Sequence, residues 1–134
     1  MKNISEYLNL YSSKPIRFLL TDIDDTMTTD GQLSPESYAA LFKLQRAGIK
    51  VIPITGRPAG WCEMIARFWP VAGIVGENGG FYFHYTDKKM HRWFSQDENT
   101  RATNQKKLEI IKADILKQVP GAQISSDQFC RITD

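Results

Sequence analysis

The feature that most constrains this chain is a short apolar run that ends in acid. Residues 16–21 read Ile-Arg-Phe-Leu-Leu-Thr, and Asp22-Ile23-Asp24-Asp25-Thr26 follow at once. Such a run has the length of a strand, and its consecutive apolar residues suit a strand buried in a parallel sheet. Carboxylates directly beyond it put charge at the strand's carboxyl end, where open α/β sheets bind their ligands. On an extended segment, side chains two apart share a side. Asp22, Asp24 and Thr26 are therefore expected on one side, with Ile23 and Asp25 on the other. Two carboxylates sharing a dry strand end repel each other unless a cation neutralises them or one keeps its proton. Mg2+ suits the place, because it takes oxygen ligands and binds through one or two carboxylates plus water and substrate phosphate.

The chain then alternates between helix and strand. Ser34 caps a helix with Pro35 at its first position; Tyr38, Leu41 and Phe42 share a face, Lys43 and Arg46 lie in the last turns, and Gly48 stops it. Residues 50–55 form the next strand, Gly56-Arg57-Pro58-Ala59-Gly60 breaks the chain, and a second helix covers about residues 61–69, ended by Pro70. Ile74 and Val75 begin a third strand. This order predicts an α/β fold, a Rossmann-like parallel sheet with right-handed crossovers and helices on both faces. Residues 81–85 and 90–94 read as an antiparallel hairpin around a four-residue loop, residues 86–89, and Asp30-Gly31 as a plain turn. A long helix follows over residues 101–118, with Leu108, Ile111 and Ile115 on one face and Pro120-Gly121 as its stop; residues 124–132 read as a further strand.

Composition narrows the function. The 134 residues carry 42% hydrophobic and 11% aromatic side chains, enough for a core, and 17 basic against 15 acidic residues give a net charge of +2. That balance lacks the basic field of a nucleic-acid binder. No apolar run approaches the roughly 20 residues of a membrane span, and no apolar stretch follows the first lysine as in a secretory signal, so a cytoplasmic location is expected. Cys62 and Cys130 form no paired motif and read as buried thiols.

The segments Phe-Leu-Leu-Thr-Asp22-Ile-Asp24-Asp25-Thr26 and Ile54-Thr55-Gly56-Arg57-Pro58 resemble the first two motifs of the haloacid dehalogenase superfamily of phosphohydrolases. Gly76-Glu77-Asn78-Gly79-Gly80 and the hairpin resemble the branch with a large cap after the third core strand, which includes sugar-phosphate phosphatases. The resemblance implies a partial core with hairpin over residues 1–95 and the start of an α+β cap over 96–134. It implies a small phosphorylated substrate, a sugar phosphate, and Mg2+ bound by Asp22 and by the backbone carbonyl of Asp24. Asp22 would be the nucleophile, Asp24 the general acid and base, Thr55 and Gly56 the phosphoryl contacts, and Arg57 a substrate clamp. Asp25 stands where the family usually has glycine; aspartate tolerates unusual backbone angles better than most residues. The family's later lysine and acidic pair are not found, so the chain is expected to be the amino-terminal part of a longer phosphatase, weakly active or inactive alone.

Other readings compete. His84 and His91 fall opposite each other on the hairpin, but without a third ligand they read as surface residues. The lysines 106, 107, 112 and 117 read as a solvated helix face. A receiver-type phosphoacceptor domain shares the length and alternation, yet needs its aspartate after the third strand, where Glu77 and Asn78 stand. A non-catalytic module that binds a phosphorylated ligand is the third reading.

Overall fold

A computed structural model of the chain describes residues 15–133. β1 (Phe18–Thr21) and β4 (Lys50–Pro53) pair in parallel, Phe18 opposite Lys50 and Thr21 opposite Pro53. A parallel bridge from Ile54 to Val75 carries this pair on to β5 (Ile74–Gly76). β5, β6 (Phe81–Thr86) and β7 (Lys89–Phe94) then run antiparallel in that order. The fold is α/β with a parallel sheet and a strand hairpin, as the alternation predicts.

α1 (Pro35–Arg46) starts where expected: the Ser34 hydroxyl accepts the Ser37 amide at 3.1 Å and proline holds the first turn. It packs against β4 and buries Leu41. α2 (Ala59–Phe68) begins two residues before the predicted 61. Its cap Pro58 brings no side-chain oxygen, and the Glu77 carboxylate accepts the Ala59 amide at 2.9 Å instead. A carboxylate from elsewhere in the chain thus does the work of an N-cap, which local sequence does not reveal. Cys62, Ile65 and Ala66 of α2 pack on Ile74, Phe81, Phe83 and Ile23 to form the core, with Phe81 and Phe83 stacked at 4.0 Å.

The hairpin closes more tightly than predicted. Thr86 pairs with Lys89, leaving a two-residue turn of Asp87 and Lys88 at φ 50° and 60°. Both residues are left-handed, the turn geometry that matches strand twist. Asp30 and Gly31, at φ 51° and 72°, turn the small hairpin of β2 (Thr28–Thr29) and β3 (Gln32–Leu33).

Three expectations fail. Residues 124–132 are not a strand but a turn and a short 3-10 helix, Gln128–Cys130, whose amides bond back within the segment: Gln128 to the Ser125 carbonyl and Cys130 to the Asp127 carbonyl. β1 is not buried, for Phe18 is 54% and Leu20 60% exposed. Among the described residues it pairs on one edge alone, so its apolar pattern lacks the cover that the pattern anticipates. α3 (Glu98–Gln118) starts three residues before the predicted 101, because the Asp97 carboxylate caps it through the Thr100 amide. Leu108, Ile111 and Ile115 all lie exposed. No described helix is long and apolar enough to cross a membrane.

Candidate active site

Two neighbouring strand ends and the turn after a third build the site. The Ile54 amide donates to the Thr21 carbonyl at 2.8 Å, one rung past the paired strands, and the Thr55 amide donates to the Val75 carbonyl at 2.9 Å. Asp22 is therefore the first residue beyond β1, and Thr55 follows the Ile54 bridge, two residues beyond the aligned end of β4. This alignment comes from the parallel register, in which equal progress along each strand brings both loops to the same sheet edge.

After Thr21 the chain does not stay extended, which corrects the two-residue alternation. The amides of Met27 and Thr28 both donate to the Ile23 carbonyl, at 2.9 and 3.0 Å, winding residues 23–28 into a tight loop. Ile23 is driven into the core at 5% exposed, and Asp24 is half-buried, while Asp25 and Thr26 face out. The buried Thr28 hydroxyl closes the loop by donating to the Ile23 carbonyl at 3.1 Å and accepting the Asp25 amide at 3.2 Å. Asp25 sits at φ 56°, in the region where glycine is most at ease and aspartate is among the better substitutes. Asp22 is exposed; its Oδ1 accepts the Ile23 amide at 2.8 Å, and Oδ2 has no protein partner among the described residues.

The second loop reaches across to the first. The Arg57 guanidinium holds the Asp24 carboxylate with two bonds, Nε to Oδ2 at 3.0 Å and Nη2 to Oδ1 at 2.5 Å, and lies over the Trp61 ring at 4.8 Å. This hydrogen-bonded cation holds Asp24 below the usual carboxylate range, and Asp24 in turn raises Arg57. Thr55 is buried at 3% exposed; its Oγ accepts the Arg57 amide at 3.1 Å, which leaves the hydroxyl proton to donate. Its carbonyl accepts the Asn78 amide at 3.2 Å. A side chain at Gly56 would begin 3.0 Å from Asn78 Oδ1 and would push that amide aside.

The structure brings Asp24, Thr55 and Arg57 into direct contact or adjacency, with Asp22 at the neighbouring strand end. It also adds residues to which the sequence does not point. Arg131 donates to the Gly56 carbonyl at 3.3 Å and lies 3.7 Å from Asp127, whose charge in turn reaches Arg57. No local signal exposes this. The contact spans 75 positions and follows from the 3-10 helix, where a strand was expected. His84 and His91 do stand opposite each other, ring centroids 5.9 Å apart, and among the described residues no three His, Cys, Asp or Glu side chains gather to hold a metal.

The donor atoms at the strand ends are all oxygens, a set that fits a hard cation. With the Asp24 carboxylate engaged by Arg57, what remains for Mg2+ is the Asp22 carboxylate and the Asp24 backbone carbonyl. The family model of haloacid dehalogenase-like hydrolases matches residues 19–125. The chain belongs to that family. No curated protein matches it significantly. Among solved structures, this haloacid dehalogenase-like chain is similar to BT1666 of Bacteroides thetaiotaomicron, described among phosphatases of the superfamily. The identity is 27% and the TM-score 0.52, with 74% of this chain and 36% of that one covered. A haloacid dehalogenase-like hydrolase from the same organism matches at 19% identity and TM-score 0.56, over 74% and 39% of the two chains. A Thermoplasma acidophilum protein matches at 23% identity and TM-score 0.54, over 72% and 42%. The chain thus spans less than half the length of these relatives.

Proposed function

We propose that these residues form part of a magnesium-dependent phosphomonoester hydrolase, acting on a small sugar phosphate through an aspartyl-phosphate on Asp22. The observation that carries this reading is the Asp24–Arg57 pair, which joins the loop after β1 to the loop after β4 with Thr55 buried beside it. The reading takes Asp22 as the nucleophile, Asp24 as the acid and base, and Thr55 as an oxyanion donor where these strand ends meet. The family model and a phosphatase among the relatives support the reading, and the sugar phosphate rests on the likeness to the large-cap branch.

In this mechanism an Asp22 oxygen attacks phosphorus as the bond to the leaving oxygen breaks, and Asp24 gives that oxygen its proton. Water then attacks the aspartyl-phosphate, Asp24 takes a proton from it, and the bond between phosphorus and the Asp22 oxygen breaks. Thr55 donates its hydroxyl proton to the phosphoryl oxygens. Bound Mg2+ would neutralise charge between the Asp22 carboxylate and the phosphoryl group. Asp24 cannot act as an acid while Arg57 holds it ionised, so Arg57 must leave the carboxylate for the substrate phosphate. A phosphate dianion is a fitting competitor for a guanidinium, which binds either group through a two-pronged contact.

Mg2+ with a small acyl phosphate, followed by mass-spectrometric mapping, tests this directly. The phosphoryl group is expected on Asp22, and the Asp22→Asn chain is expected to take none. Modification elsewhere, or none at all, overturns the reading. Turnover by the 134-residue chain is expected to be slight, because each missing electrostatic contact lowers the rate by roughly 100 to 1,000-fold. Magnesium-dependent phosphate release at ordinary enzyme rates would overturn that expectation.

A further inference from the structure

Glu77 is the one buried carboxylate among the described residues, at 3% exposed, and the mechanism above does not use it. A buried carboxylate is tolerated only when donors surround it. Here they come from two distant segments. Oε1 accepts the amides of Ala59 at 2.9 Å and Ile132 at 3.0 Å; Oε2 accepts the Thr133 amide and hydroxyl, both at 2.6 Å, and the Ile132 amide at 3.1 Å. Its backbone grips the second site loop, for the Glu77 amide donates to the Arg57 carbonyl and the Asn78 amide to the Thr55 carbonyl, each at 3.2 Å. Glu77 and Asn78 sit at φ 44° and 53°, a strained pair that persists only where surrounding bonds enforce it.

The same turn anchors both ends of the segment that carries α3. On the outgoing side, the Ser95 amide and hydroxyl donate to the Gly80 carbonyl at 3.0 and 3.2 Å. On the returning side, Thr133 packs so closely on Gly80 that an added Cβ would lie 2.0 Å from its hydroxyl. One carboxylate therefore ties together the start of α2, the loop bearing Thr55 and Arg57, and the returning segment.

We propose that Glu77 is a positioning residue for the phosphoryl loop: its charge locks Ile132, Thr133 and the first turn of α2 onto the turn that sets Thr55 and Arg57. This rests on the phosphatase reading, so the test separates the two. The probe is tungstate, a tetrahedral oxyanion, titrated with Mg2+ into the 134-residue chain, alongside amide hydrogen exchange. Glu77→Gln is expected to weaken tungstate binding about tenfold, the loss of one bond to a charged group. It is also expected to speed exchange at the Thr55, Arg57 and Ala59 amides while the chain remains folded by circular dichroism. Glu77→Asp, which restores charge, recovers part of the affinity. Leu41→Ala, buried in α1 away from this turn, lowers the melting temperature and leaves the affinity of the folded chain unchanged.

Wild-type affinity in Glu77→Gln, no recovery in Glu77→Asp, or an equal loss in Leu41→Ala would each overturn the positioning role. If Glu77→Gln does not fold, Thr133→Val decides, since it removes one donor and leaves the carboxylate. It is expected to weaken tungstate binding about threefold, and unchanged affinity would overturn the proposal. A wild-type chain that does not bind tungstate overturns the phosphatase reading, and the positioning role falls with it.

Discussion

The loop that carries Asp22, Asp24 and Asp25 depends on a hydroxyl four residues beyond Asp24. Thr28 is 9% exposed and makes two bonds into the loop, donating to the Ile23 carbonyl and accepting the Asp25 amide. Thr28→Val keeps the shape and deletes both. The Ile23 carbonyl still holds the Met27 and Thr28 amides, so its loss is small; the Asp25 amide loses the bond that holds it against a strained φ of 56°. A net bond is worth about 0.5–1.5 kcal/mol, so the two together should cost about 1–2 kcal/mol. With a urea slope of about 1–3 kcal/mol/M, the unfolding midpoint should fall by roughly 0.3–2 M. Thr28→Ser loses a buried methyl, about 0.8 kcal/mol, and keeps the hydroxyl. The two variants are therefore close in stability and differ in the loop, where hydrogen exchange at the Asp25 amide separates them. It should speed up in Thr28→Val and not in Thr28→Ser. Exchange at Asp25 that is the same in the wild type and Thr28→Val would refute the reasoning.

Four further outcomes follow from the same contacts. Phe83 is fully buried, so Phe83→Ala should cost about 3–5 kcal/mol and leave much of the chain unfolded at 37 °C, as read by circular dichroism. Leu20→Ser should cost well under half of that, since Leu20 is 60% exposed, and should reduce aggregation measured by light scattering. The Arg57 bond holds Asp24 below its ordinary range, so this stabilisation is present above the ordinary carboxylate pKa and is lost as pH falls through the lowered one. Arg57→Ala should remove that acid-side dependence from urea titrations, a difference of no more than about 1 kcal/mol because both side chains are more than a third exposed, at 36% and 41%. Burial, helped by the Glu77 charge, pushes the Cys62 thiol up to about 12, so a thiol reagent at pH 8 should label Cys130 first in the folded chain and both cysteines in urea.

Much of this fold was legible because its signals are local. Ser34, Pro35 and Gly48 mark α1 at both ends, and Asp30-Gly31 marks its turn, each through a backbone preference that needs no distant partner. The two site loops were legible because a parallel strand that ends in polar residues announces where ligands bind. What stayed hidden depends on partners far along the chain. The cap of α2 comes from Glu77, 18 residues on, and Arg131 reaches Gly56 across 75. Residues 124–132 read as a strand, but their amides find acceptors within the segment and on Glu77, and a ladder is not needed to satisfy them.

The exposed β1 has a different origin from those misses. Its pattern was read as that of a strand covered on both faces, and the residues are indeed apolar, yet Phe18, Leu19 and Leu20 all remain open to solvent. Pairing with β4 satisfies one row of backbone groups and brings the loops that carry Asp22 and Thr55 to the same sheet edge, so the placement of the site does not need the missing cover. Stability does need it, because apolar area left in water contributes nothing to folding and invites association. Geometry of the site and stability of the sheet are thus separable here: one parallel pairing and one turn at Glu77 set the first, and cover on β1 and α3 sets the second.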